Sequence, residues 1–313
     1  MSTSERGRDV VTVGIPTYNA EATIATTIAT LLAQRHRALE IIVSDNASTD
    51  RTVGICRDAI GDDHRVRVVC HERNRGWQFN FRFLLAEANG PYFMWLGSDD
   101  LLAPTFVSDN LARLTADSRV VTSVCRVRWL HDGRRGEIAS GTAPLEGTPR
   151  QNAARYIRHA RDNSRFYGLH RTAALRASFP AEDFYGLDIA IMLGTLRFGT
   201  HAEVPDVLLE RERHAPGSYA KQIERDSRGL MDRVLPLGRF SRAVLFELKV
   251  PMSPQAIGWL IVRNAFEHAR YWGGRGGPYG RPVGALAGIM ERRRAAITTA
   301  EDTARTAGSR PPT

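Results

Sequence analysis

Cysteine is scarce in this chain: three in 313 residues, at Cys56, Cys70 and Cys125. An odd count without metal-ligand spacing excludes a disulfide framework and a structural zinc site, and reads as reduced thiols in a cytosolic protein. Lysine is scarcer still. Lys221 and Lys249 are the only two, so nearly all of the 43 basic residues are arginine. No apolar run reaches the ~18–20 residues of a membrane-spanning helix. The opening MSTSERGRDVV lacks the apolar stretch and small-residue cleavage site of a secretory signal, so none is expected. No zinc-finger, RNP or helix-turn-helix pattern occurs, and no nucleic-acid partner is expected.

What is present is an ordinary globular composition, 42% hydrophobic and 25% charged. The net charge of +9 is uneven, because residues 211–313 carry 18 basic and 9 acidic side chains while the first 210 balance at 25 of each. Such a basic end suits either a solvated face or contact with an anionic surface.

The first hundred residues alternate in type. Apolar runs VVTVGI (10–15), LEIIVS (39–44), VRVVC (66–70) and YFMWLG (92–97) read as strands separated by helix-length segments, the pattern of βαβ units and a mostly parallel sheet. The runs are apolar on both faces, as in a sheet covered by helices on both sides. Ala20–Gln34 and Thr49–Ile60 are expected as helices, the second capped by Ser48 or Thr49 with Asp50 in its first turn. A helix follows Pro104, and then two strands joined at Asp132-Gly133, a hairpin signal.

A helix is expected after residue 150, another near 186–197, and a short strand leads into LLERERH (208–214). Helical patterning returns at 222–250 and 254–272, whereas the glycine-rich 271–284 reads as a loop. The organisation is therefore a first unit over 1–218, a helical region over 219–296 and a small, polar tail over 297–313.

In an open α/β sheet, ligands settle beyond the carboxyl ends of the strands. There the sequence places PTYN (16–19), DNASTD (45–50), ERNRG (72–76) and SDD (98–100). Asp45 suits a base imide; Asn74 and the chain around Thr17 suit a nucleoside; Asp99 and Asp100 suit a divalent cation, which takes oxygen ligands and bridges carboxylates to phosphates. Each has a plainer reading. Asp45 and the STD after it fit turn and cap chemistry, Asp99 and Asp100 fit a helix cap, and Trp77, Phe79, Phe81, Phe83 and Trp95 fit core packing.

Taken together, VGIPTYNAEATIATTIATLLAQ, EIIVSDNASTDRT, NRGWQFN and PYFMWLGSDD resemble the nucleotide-sugar-binding half of family 2 glycosyltransferases of the GT-A fold. The resemblance implies a GT-A type, Rossmann-like α/β domain with a mostly parallel sheet, flanking helices and a C-terminal helical appendage. It implies donor contacts from Pro16, Thr17, Tyr18, Asn19, Asp45, Asn74, Asn80, Ser98, Asp99 and Asp100, with Asp45 reading uracil if the donor is a UDP-sugar. Many relatives read D-x-D-D at the cation site; here the first carboxylate is replaced by Gly97, a pattern similar to deoxy-sugar transferases of the abequosyltransferase-like branch.

Further along, FYGLHRTAAL, YGLDIAIMLGTLRFG and EVPDVLLERERH continue the resemblance. They imply Asp188 as the general base of an inverting transfer, with Glu182 and Asp183 as rivals. They also imply Asp99 and His214 as protein ligands of Mn2+ or Mg2+, and Arg213 (or Arg211) as a phosphate clamp. The implied enzyme moves a sugar from a UDP- or dTDP-sugar to a saccharide, lipid-linked or small natural-product acceptor. Its place is the cytoplasm or the inner membrane face, with a membrane contact or homodimer through the C-terminal helices. A sugar-phosphate nucleotidyltransferase would need a glycine- and arginine-rich triphosphate loop, which VGIPTYNAEAT lacks. A silent nucleotide-sugar-binding module is disfavoured by the retained Asp99, Asp100 and Asp188.

Overall fold

The computed structural model describes residues 9–159, 162–213, 232, 235 and 237–273. The apolar runs become strands β1 (Val11–Thr17), β2 (Leu39–Asp45), β3 (Val66–Cys70) and β4 (Tyr92–Trp95). They pair with one another in parallel, in the order β3-β2-β1-β4. Beyond β4 the sheet continues through β8 (Leu169–Arg171), β6 (Val120–His131), β9 (Thr200–Glu212) and the two-residue β5 (Leu101–Leu102). There β8 runs antiparallel to both neighbours, β9 is parallel to β6, and β7 (Arg134–Ile138) forms an outer hairpin on β6. The hairpin turns at Asp132-Gly133, whose φ values of +52 and +73 are those of a primed turn.

Helices α1 (Ile24–Leu32), α2 (Thr52–Ile60), α3 (Trp77–Ala86) and α4 (Phe106–Ala116) connect these strands. Because side chains alternate across a strand, β4 feeds two layers at once. Tyr92 and Met94 join a core with α1, α2 and α4, and Phe93 and Trp95 join the opposite core with α3. Trp95 is fully buried, stacking on Phe166 at 4.4 Å and donating its indole N–H to Phe81 O. The aromatic residues of α3 divide as the core reading expects, with Phe81 buried and Trp77 and Phe83 packed against the same core.

The second core also takes in α5 (Pro149–His159), α7 (Leu187–Thr195, after the one-turn α6, Thr172–Arg176) and the C-terminal helices α8 (Gly238–Arg242) and α9 (Pro254–Gly273). Phe240, Val244, Ala256 and Leu260 lie in it with Tyr156 and Leu187, so the described part of 219–296 shares one core with the sheet. No helix among the described residues is long and apolar enough to cross a membrane.

Three local expectations differ. Helix α2 begins at Thr52, not at a Ser48 or Thr49 cap, because Asp45 captures the Ser48 N–H and hydroxyl while Asp50 accepts the Thr52 N–H at 3.0 Å. The strand before LLERERH is long rather than short, a 13-residue element that runs on through Glu212 and pairs with β6 along most of its length. Gly273, expected in a loop beyond the 254–272 helix, is the last residue of α9. Most of 222–236 and all of 274–313 lie outside the described residues.

Candidate functional site

The ends of β1, β2 and β3 sit side by side, with Thr17 paired to Asp45 and Asp45 to Cys70. Past them the chain turns outward and leaves a cleft of about 590 Å³, within the range of small-molecule pockets. Pro16, Thr17, Tyr18, Asn74 and Asn80, all candidates for donor contact, line it. So do Asn46, Gly76, Trp77, Gln78, Phe81 and Asp183, which sequence reasoning did not place in the nucleotide pocket. Asn46 follows Asp45 in the same motif, and Trp77 lies one helical turn before Asn80, so both carried a signal.

Asn46 is the keystone of the β3 side. Only 3% exposed, it donates to Asn74 Oδ1 and Gly76 O, both at 3.0 Å, and accepts the Arg75 N–H at 3.0 Å. Asn80, 2% exposed, donates to Ser44 O at 2.8 Å. Its Oδ1 and the Trp77 indole N–H are buried without a protein partner, so two cleft residues keep hydrogen-bonding capacity unspent.

Asp45 and Asn19 hold the loops rather than the wall. Asp45 accepts the Ser48 N–H at 2.9 Å, while Asn19 accepts the Thr49 N–H on its side chain and donates its own N–H to Ser48 Oγ, each at 2.8 Å. The plainer turn reading of Asp45 is therefore realised, and this lock sets the loop that presents Thr17 and Tyr18.

At the end of β4, residues 97–100 form a turn closed in both directions. The Asp100 N–H donates to Gly97 O, and Asp100 Oδ2 accepts the Gly97 N–H, each at 3.2 Å. Arg211 Nε reaches the same carboxylate at 3.2 and 3.3 Å. Asp100 was expected to touch the donor; at 1% exposure, with its oxygens committed to Arg211 and Gly97, it holds the turn instead. Burial pushes its pKa up against the pull of Arg211. Ser98 O anchors the turn to Thr23 Oγ1 at 2.8 Å.

Gly97 also has a steric reason. A Cβ there would lie 2.7 Å from Asp100 Oδ2 and 3.0 Å from Asp99 Oδ1, so no first carboxylate fits while Asp100 keeps its place. Gly97→Ala is expected to cost about 1–3 kcal/mol, the scale of overpacking a fixed site. Urea denaturation measures it, and an unchanged midpoint would show the carboxylate free to move.

The arginine assignment changes. Strand alternation sends both arginines of β9's end to the Trp129 side, but Arg211 is the one inside, its guanidinium 3.6 Å from the Tyr167 ring centroid. Arg213, expected at the donor phosphate, lies just past the last residue of β9 and is exposed, where Glu137 of the hairpin pairs with it. His214 falls outside the described residues.

Tyr167 ties the two acidic ends together. Its hydroxyl pKa rises to about 12 chiefly through burial, with Arg211 lowering it and the charges of Asp100, Asp188 and Asp99 adding to the rise. Asp188 stands in the first turn of α7, behind Gly186, and its Oδ2 accepts from Asn163 Nδ2 at 2.7 Å. Burial raises its pKa most; the Asn163 bond, the helix-end N–H groups and Arg263 oppose that rise. Of its rivals, Asp183 lies in the cleft wall but is ion-paired to Arg82 at 2.8 Å, and Glu182 is exposed.

Among the described residues no group of three or more His, Cys, Asp or Glu is gathered to hold a metal. Asp99, beside the committed Asp100, is the other carboxylate of this turn and the one the sequence put forward for a cation. One carboxylate plus substrate phosphates is a normal ligand set for Mg2+ or Mn2+, so the site fits a cation that arrives with a diphosphate.

Comparison with known proteins agrees with this arrangement. Residues 12–179 match the family described as Glycosyl transferase family 2. An Escherichia coli relative, UDP-Glc:alpha-D-GlcNAc-diphosphoundecaprenol beta-1,3-glucosyltransferase WfaP, is 31% identical over 105 residues, 33% of this chain and 40% of that protein. The chain spans less than half the length of the curated relatives it matches. S. aureus TarS 1–349 in complex with UDP-GlcNAc superposes with a TM-score of 0.55 at 19% identity, covering 83% of this chain and 81% of that one. The mannosyltransferase PcManGT from Pyrobaculum calidifontis, in complex with GDP-Man and Mn2+, gives 0.57 at 19%, covering 92% and 83%. The fold is that of the GT-A glycosyltransferases.

Proposed function

Since the chain belongs to glycosyl transferase family 2, we propose that it moves a sugar from a UDP- or dTDP-sugar to an acceptor hydroxyl with inversion at the anomeric carbon. The observation that carries this reading is the cleft at the ends of β1–β3, walled by Pro16, Thr17, Tyr18, Asn46 and Asn74 and within the size range of small-molecule pockets. The nucleoside lies there, and the diphosphate extends toward the 97–100 turn.

In the transfer, Asp188 takes the proton of the acceptor hydroxyl as its oxygen bonds to the anomeric carbon. The bond from that carbon to the nucleoside diphosphate breaks, and its electrons leave with the diphosphate. No covalent sugar–enzyme bond is needed. A cation held by Asp99 would neutralise charge on the leaving diphosphate when bound, with His214 a second protein ligand. The Mn2+ in the Pyrobaculum complex supports divalent-metal use. The diphosphoundecaprenol-linked substrate in the E. coli relative's name supports a lipid-linked saccharide as acceptor.

Calorimetric titration with UDP and dTDP, with and without Mn2+, tests the donor half. One of the two is expected to bind with Mn2+ and at least tenfold more weakly in Asn46→Ala, which frees the Asn74–Gly76 wall. Heat from neither nucleotide would refute this donor assignment.

A further inference from the structure

We infer that Asn163 is a positioning residue for Asp188: its side-chain amide, locked by Tyr156, holds the carboxylate in one orientation and in its ionised form. The inference rests on the reading of Asp188 as the base.

Asn163 stands between α5 and the 3-10 turn Ser164–Tyr167, 6% exposed, with φ +44. That left-handed backbone aims its amide sideways between two elements. On one side Nδ2 donates to Asp188 Oδ2 at 2.7 Å; on the other Oδ1 accepts the Tyr156 hydroxyl of α5. The orientation of the amide follows from chemistry, because an ionised carboxylate only accepts and must face the NH2, which leaves Oδ1 for the hydroxyl. Tyr156 is 3% exposed, and burial drives its pKa far upward, so it remains a protonated donor.

Tyr156 is held in turn. Arg165, 2% exposed, lies with its guanidinium 5.2 Å from the Tyr156 ring centroid, donates to Ala143 O at 2.7 Å and contacts His201 Nδ1 at 3.2 Å. A chain of contacts therefore runs from a buried arginine through Tyr156 and Asn163 to Asp188.

The groups acting on Asp188 come from every side. The helix-end N–H groups belong to α7, Arg263 to α9, Tyr156 to α5 and Tyr167 to the 3-10 turn. Burial favours the neutral acid, and the Asn163 bond leads the opposing influences. A base must be ionised before it takes a proton, and a donor aimed at one oxygen favours that form while leaving the other oxygen to accept the proton.

Titration of the full chain labelled with 13C at the aspartate carboxyls reads this directly, with the Asp188 signal assigned by Asp188→Asn. Asn163→Gly removes the amide while glycine adopts φ +44 freely. Asp188 is expected to titrate about one pH unit higher, the scale of one hydrogen bond to a charge. Tyr156→Phe, which frees the amide, gives a smaller rise. For whichever UDP- or dTDP-sugar the wild-type chain cleaves, the acid limb of nucleoside diphosphate release moves up equally, with donor affinity unchanged; a merely structural loop residue would not produce that split. A folded Asn163→Gly protein with the titration and acid limb of the wild type overturns the role of Asn163 alone. If that variant does not fold, an unmoved titration in Tyr156→Phe overturns it. Full turnover by Asp188→Asn would instead remove the base reading beneath it.

Discussion

Replacing Asp188 by asparagine is expected to lower transfer about 10²–10⁴-fold, the contribution of a positioned general base, while nucleotide binding stays intact. The separation follows from the geometry. Asp188 belongs to the first turn of α7, while the residues lining the cleft come largely from the ends of β1–β3 and the start of α3. Asparagine keeps the shape and the contact with Asn163 but cannot take a proton. Single-turnover release of nucleoside diphosphate, measured beside calorimetric affinity, checks the prediction. Equal loss of both would mean that Asp188 holds the cleft together, and loss of neither would pass the role to Asp183 or Glu182.

Arg211→Leu is expected to destabilise the fold by about 3–5 kcal/mol, because it strands the buried Asp100 carboxylate. The pair is well enclosed, with side-chain exposures of 13% and 2%. The guanidinium also gives up its place 3.6 Å from the Tyr167 centroid. Asp100 already has a raised pKa from burial, and loss of Arg211 raises it further. A carboxyl whose folded pKa lies above its unfolded value favours folding at low pH, and that contribution is lost as pH rises through the folded pKa. The deficit of Arg211→Leu is thus largest at neutral pH and narrows as the solution is acidified toward the raised pKa of Asp100. Urea denaturation at several pH values measures both. Pairing it with Asp100→Asn is expected to recover part of the loss, as coupled partners do.

The parallel half of the sheet was legible because β1, β2 and β4 are buried on both faces. Runs such as EIIVSD and YFMWLG have no amphipathic alternative, and each stops at the polar residues that line or lock the cleft. Beyond β4 the β6–β7 hairpin was legible from Asp132-Gly133, but the remaining pairings were not, since a three-residue strand such as Leu169–Arg171 carries no periodicity. The site divides in the same way. Thr17, Tyr18, Asn74 and Asn80 were readable from motif position. The partners of Asp100 were not, because choosing Arg211 over Arg213 depends on where β9 ends and on Glu137 arriving from a hairpin 76 residues away in sequence. Gly97 reads as a lost carboxylate in sequence and as the close approach of Asp100 in space. Asn163 gave no signal, since its role needs α5, α7 and a 3-10 turn to converge.

The central claim, transfer from a nucleotide-sugar, is tested most directly by incubating the chain with UDP-, dTDP- and GDP-sugars in Mn2+ and measuring the nucleoside diphosphate released. The account predicts release from a UDP- or dTDP-sugar, with the freed sugar of inverted anomeric configuration, and its loss in Asp188→Asn. Cleavage of none of these donors, or pyrophosphate release from a nucleoside triphosphate and a sugar phosphate, would contradict it.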